Sequence, residues 1–190
     1  RGNNSSAFLL ADGRTIKQFQ PITRCTAGGP ATSLVGGGSS VDLYGDGIRG
    51  THGGSGMSSL GGTIRVGELR PGQKGPPHAL SMTIDMREAF LCTIKTDCFR
   101  WPAVKADTGA VGFYGTIANN PNAANTAFKM GSLFAIPGSV SIASLGLQTE
   151  PARQLAWTLQ NYGAYVVDHG STSFLFTTEN GPAGNFLNQF

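Results

Sequence analysis

The sequence predicts a mostly β fold, a β-sandwich or jelly roll with one late amphipathic helix at about residues 150–162. Three observations predict it. Glycine supplies 28 of the 190 residues, about 15% and roughly twice the usual share, which disfavours long helices. Short apolar segments recur between Gly- and Pro-rich turns, as strands do. Only one segment, near the C-terminus, combines helical periodicity with start and stop signals.

Taken in order, residues 7–10 and 16–19 flank Asp12-Gly13 and read as a hairpin. Residues 26–40 and 45–62, rich in Gly, Ser, Thr and Pro, read as two irregular loops around the short segment Val41-Asp42-Leu43-Tyr44. Strands are expected at 63–69 and 78–85, with His78, Leu80, Met82 and Ile84 on one core face and Ala79, Ser81, Thr83 and Asp85 on the other. Further strands are expected at 110–114, 132–136 and 139–142. The helix starts at an N-capping Thr149, tolerates Pro151 in its first turn and stops at Gly163. Ala152, Leu155, Ala156 and Leu159 give it one apolar stripe. A second hairpin is expected from 164–168 and 173–178, turning at His169-Gly170, which leaves His169 exposed. A length of 190 residues fits a single domain, residues 1–190, or one domain with a small appendage.

Composition narrows the function. Charged residues make up 13% and hydrophobic ones 39%, so the chain has the apolar content to fold. The net charge of +3 is spread without a basic run or basic helix face, which argues against nucleic acid as a partner. No apolar stretch reaches membrane-spanning length, so no membrane partner is expected. Few charges and abundant Gly, Ser, Thr and Asn suit a secreted, extracellular protein. The chain begins at Arg1, which suggests a processed product or the C-terminal part of a longer precursor. Asn3 and Asn4 both satisfy N-x-S/T, relevant for a eukaryotic secreted source.

Cys92 and Cys98 flank a short polar segment and are expected to form a loop-closing disulfide, since no Cys and His spacing suits zinc. Cys25 is left as a buried thiol or as half of a bridge to another segment or chain.

Several motifs come close to chemistry without completing it. Residues 42–53 open like a calcium loop, with Asp42, Asp46 and Gly47, but carry Tyr44 at position three and Gly53 at position twelve. A Gly-Asp-Gly turn is the better reading. Ser55 sits among glycines without the Gly-x-Ser-x-Gly spacing or a following helix, so it is no nucleophile elbow. His52, His78 and His169 show no metal-ligand spacing. The sequence therefore implies neither a metal nor a cofactor.

The carboxylates near glycine-rich segments or strand ends are Asp42, Asp46, Glu68 and Asp168, and glycoside hydrolysis needs two at a suitable separation. A lyase needs a cation to neutralise a uronate and a group to move a proton, which Arg65, Tyr44, Tyr165 and His78 supply. Each has a plainer alternative: a hydrogen-bonded core histidine at His78 and a salt bridge between Arg65 and Glu68. Trp101 and Trp157 are either core residues or platforms for sugar rings.

Five motifs in this order, Thr63-Ile64-Arg65-Val66-Gly67-Glu68-Leu69, Pro77-His78-Ala79-Leu80, Arg100-Trp101-Pro102-Ala103, Met130-Gly131-Ser132 and Leu159-Gln160-Asn161-Tyr162-Gly163-Ala164-Tyr165-Val166-Val167-Asp168, resemble a broad family of uncharacterised secreted bacterial proteins. These are common in actinobacteria and soil bacteria, and some are joined to cellulose-binding modules. The resemblance implies recurring positions at Arg65, Glu68, His78, Trp101 and Asp168, and an additional upstream half. The chain departs from the family at Val104 and Lys105, where many relatives place a His, and at His169, where they place an Asn.

The expectation is a carbohydrate-active protein that binds an extracellular polysaccharide, with cleavage by hydrolysis or elimination left open. His78, Glu68 and Arg65 are the expected catalytic group, and His52, Trp101, Asp168 and Tyr44 the expected substrate-binding residues. The alternative is an extracellular structural module, a filament, sheath or surface-layer subunit assembling through strand edges. The partners then expected are a polysaccharide, a missing upstream segment or second chain, or further copies of the chain itself.

Overall fold

The computed structural model describes residues 5–24, 26–33, 38–170, 174–181 and 184–186. Arg1, Asn3, Asn4, Cys25 and Ser173 lie outside the described residues. The architecture is mostly β with one helix, and two principal sheets carry it. The strands are β1 (Ser6–Leu9), β2 (Thr15–Phe19), β3 (Ile22–Arg24), β4 (Ala31–Ser33), β5 (Ser39–Asp42), β6 (Leu80–Ile84), β7 (Leu133–Phe134), β8 (Ala164–His169), β9 (Leu175–Phe176), β10 (Asn180–Gly181) and β11 (Gly184–Asn185). The helix α1 spans Glu150–Asn161.

The first sheet has the order β1-β2-β5 and contains the expected N-terminal hairpin, with Ser6 opposite Phe19 and Leu9 opposite Ile16. Asp12 fixes its turn by accepting the Arg14 and Thr15 N–H groups. Val41 joins this sheet through β5, antiparallel to β2. The region 26–40 is not wholly irregular, because it contains β4, which pairs antiparallel with β3 just before the region, and the start of β5.

The second sheet has the order β7-β8-β6-β9. Its centre is a parallel pair, β6 and β8, linked by the connection 85–163 that contains α1. Both faces of β8 are covered: Val166 and Val167 are fully buried, as suits a parallel strand. The main core is continuous from this pair to Met86, Tyr114, Met130 and the Cys92–Cys98 disulfide, which forms as expected.

α1 has the expected caps: the Thr149 side chain accepts the Ala152 N–H, and Gly163 ends the helix at φ +74°. Leu155, Ala156 and Leu159 face the core. Its buried polar residues dock the segment 70–76, since Gln154 donates to the Arg70 and Gln73 carbonyls and Thr158 to that of Pro76.

Four expectations are corrected. Residues 63–69 are not a strand: Ile64 makes one bridge to Thr178, and the chain then turns, with the Glu68 N–H on the Arg65 carbonyl and Gly67 at φ +96°. Residues 110–114 form turns around the buried Tyr114, and 139–142 lead into a 3-10 helix at Ile142–Leu145. The second hairpin does not form, because β8 and β9 flank β6 on opposite sides. His169 is therefore not an exposed turn residue. It ends β8, half-buried, accepts the Met86 N–H at Nδ1 and packs edge-on against Phe113.

Candidate functional site

The glycine-rich loop 52–58 is the pivot of the molecule's polar architecture. It is buried apart from Gly53, and its backbone folds on itself through the Gly56 N–H to the His52 carbonyl. Gln18, wholly buried on β2, ties down the flanking chain by accepting the Ser59 N–H at 2.6 Å. The Val104 N–H donates to the Ser55 carbonyl and joins the loop to the Trp101 segment. Concave regions lie on two sides of this loop.

The first is a cleft of about 350 Å³, lined among others by Asp46, Met57, Arg65, His78, Trp101 and Tyr165. Trp101 is 71% exposed, so the core alternative for it is overturned. His78 enters from the start of β6 and is half-buried, with Nδ1 3.0 Å from the Ala79 carbonyl and Nε2 3.1 Å from Glu68 Oε2. Glu68 stands behind it and also accepts the Arg65 N–H at 2.7 Å and the Arg65 guanidinium at 3.3 Å. The turn that replaces the expected strand brings these three residues together. Both ring nitrogens of His78 thus face protein oxygens. The Asp46 carboxylate accepts the Ile48 N–H in the expected Gly-Asp-Gly turn.

The second region is a pocket of about 370 Å³ lined by Asp107, Gly109, Phe113, Asp168 and His169. Asp168, at the end of β8, is 5% exposed. Its Oδ2 accepts the Gln20 amide at 3.3 Å and lies 3.9 Å from His52 Nδ1, while its Oδ1 accepts the His169 N–H at 2.9 Å. Burial alone raises the pKa of this carboxyl, but the His52 ring, the Gln20 amide and the His169 N–H together hold it below the ordinary carboxylate value. His52 is 4% exposed, and its Nδ1 has no hydrogen-bond partner among the described residues. Asp107 accepts the Tyr114 hydroxyl at 2.5 Å, and burial together with that carboxylate pushes the Tyr114 phenol up.

The expected site residues are therefore divided. Arg65, His78 and Trp101 share the first cleft with Glu68 behind them, whereas His52 and Asp168 belong to the second region. Tyr44 joins neither: it is 78% exposed, on a turn whose Asp42 pairs with Arg14. Sequence reasoning missed Asp107, Tyr114 and Gln20. The only local signal was an Asp and a Tyr seven residues apart in a segment otherwise poor in chemistry.

Among the described residues no group of three or more His, Cys, Asp or Glu side chains is placed to hold a metal ion, and no helix is long and apolar enough to cross a membrane. No family model, no curated protein and no solved structure matches the chain.

Proposed function

We propose that this chain is an extracellular protein that binds polysaccharide in the Trp101 cleft. One observation carries the reading: an indole 71% exposed forms a wall of a cleft whose other walls present Arg65, His78 and Asp46. A sugar ring has an apolar C–H face and polar edges, and such a cleft offers a partner for each. Covering roughly 100 Å² of the indole is worth about 2 kcal/mol. Arg65, half-exposed and held by Glu68, supplies donors for hydroxyl or uronate oxygens. His78, engaged at both nitrogens, serves here in recognition. The disulfide and the low charge suit an extracellular setting.

Affinity electrophoresis in gels containing xylan, glucomannan, carboxymethylcellulose or polygalacturonate tests the reading. Retardation of the wild-type chain in at least one gel, lost in W101A, supports it. Equal mobility of the two in all four gels overturns it.

A second reading, a self-assembling structural subunit, is favoured by β1. Among the described residues this strand is at the edge of its sheet and leaves Phe8 and Leu9 exposed, a surface suited to strand addition. Growth of particle size with concentration, abolished in F8K, distinguishes it from the first.

A further inference from the structure

The Asp107 and Asp168 carboxylates face one small space that only a glycine leaves open. A Cβ on Gly54 would stand 2.9 Å from Asp168 Oδ1 and 3.3 Å from Asp107 Oδ2. These two oxygens are therefore no more than about 6 Å apart, a bound that admits the separation of about 5–5.5 Å in retaining glycosidases. Both residues line the 370 Å³ pocket, beside Phe113. The buried His52 ring, its Nδ1 without a hydrogen-bond partner among the described residues, lies 3.9 Å from the other Asp168 oxygen, Oδ2. The pocket lies at the carboxyl end of β8, which supplies Asp168 and His169 to its lining.

We infer that Asp107 and Asp168 form the acid–base and nucleophile pair of a retaining glycoside hydrolase, acting on the polysaccharide held in the Trp101 cleft. The inference rests on the polysaccharide reading above. Tyr165 lines the cleft and Asp168 the pocket, and the two are about 10 Å apart along β8.

The chemistry needs only water. An Asp168 oxygen bonds to the anomeric carbon as the bond to the leaving oxygen breaks, and the Asp107 carboxyl proton passes to that oxygen. The Asp107 carboxylate then takes a proton from water, whose oxygen bonds to the anomeric carbon as the Asp168 ester bond breaks. The products together equal the substrate plus one water. His52, the Gln20 amide and the His169 N–H position Asp168, and Tyr114 positions Asp107.

The test incubates wild type, D107N and D168N with xylan, glucomannan, carboxymethylcellulose and polygalacturonate. Products are read by mass and the new reducing ends by proton NMR, with binding followed on the same gels. The expected result is oligosaccharides heavier by one water with retained anomeric configuration, and a loss of about 100-fold or more in either variant with binding unchanged. Asp107 is half-exposed, so D107N carries the test if D168N fails to fold. Wild type that binds without cutting, a D107N variant that cuts at the wild-type rate, inverted products or products lighter by one water each overturn the inference while sparing the binding reading. Wild type that binds none of the four overturns both.

Discussion

His78 Nε2 stands 3.1 Å from Glu68 Oε2, and the same carboxylate accepts the Arg65 N–H, so one acidic group orients both the histidine and the arginine of the Trp101 cleft. Replacing it with E68A frees the His78 ring and the Arg65 guanidinium and leaves their donors to water. The expected outcome is a tenfold or greater loss of polysaccharide affinity with about 1 kcal/mol lost in stability, read by titration calorimetry and urea unfolding. Unchanged affinity contradicts the recognition role given to this trio.

Trp101 behaves differently because its ring has little protein to lean on. W101A is expected to weaken polysaccharide binding at least tenfold while leaving stability within about 0.5 kcal/mol of wild type. A large fall in the unfolding midpoint would show that the indole is packed in solution.

What the sequence made legible was local. The β1–β2 hairpin, the Cys92–Cys98 bridge and the caps of α1 each depend on residues close together in the chain. The β6–β8 pair is non-local, joined through the long connection 85–163, and no short window encodes it. A hairpin from 164 to 178 therefore looked natural, although β9 takes the far side of β6. Likewise Arg65, Glu68 and His78 were found from their motifs, but their meeting depends on the turn at Gly67 rather than on a strand. The pairing of Asp107 with Asp168 was hidden because it runs through Gly54, a residue with no side chain to announce a site.

Gly54 itself is testable. In G54A the new methyl would stand 2.7 Å from Met130 Cε as well as against Asp168 Oδ1, so overpacking should cost about 1–3 kcal/mol. Turnover should fall with it, while gel retardation through the Trp101 cleft persists. Full turnover in a stably folded G54A variant would place the chemistry elsewhere.

Acid should destabilise the fold through two buried carboxylates. Asp168 is held below the ordinary value by its neighbours despite burial, and Asp85 chiefly by hydrogen bonds from Arg87. A group whose folded pKa is depressed binds more protons when unfolded. Its stabilisation is complete above the unfolded value of about 3.9 and is lost as pH falls through the folded value. The urea midpoint is expected to drop below about pH 4, with a shallower drop in D168N. Identical acid limbs for the two proteins would contradict this.

The buried Cys92–Cys98 bridge closes a short loop against Met86 and Tyr114. The double variant C92A/C98A is expected to lose about 2 kcal/mol, the loop-closure value for a ring of this size, in urea unfolding without reductant. A loss no larger than that from reducing agent on a control surface variant would leave the bridge without a stabilising role.

The most direct test of the polysaccharide reading uses the two tryptophans. Trp157 lies on α1, half-buried and edge-on to Tyr162, so W157F isolates the emission of Trp101. Titrating W157F with the polysaccharide that retards the wild-type chain should shift that emission to shorter wavelength with saturation, as a sugar ring displaces water from the indole. Emission that stays at its solvent-exposed wavelength through saturation of binding would contradict the account.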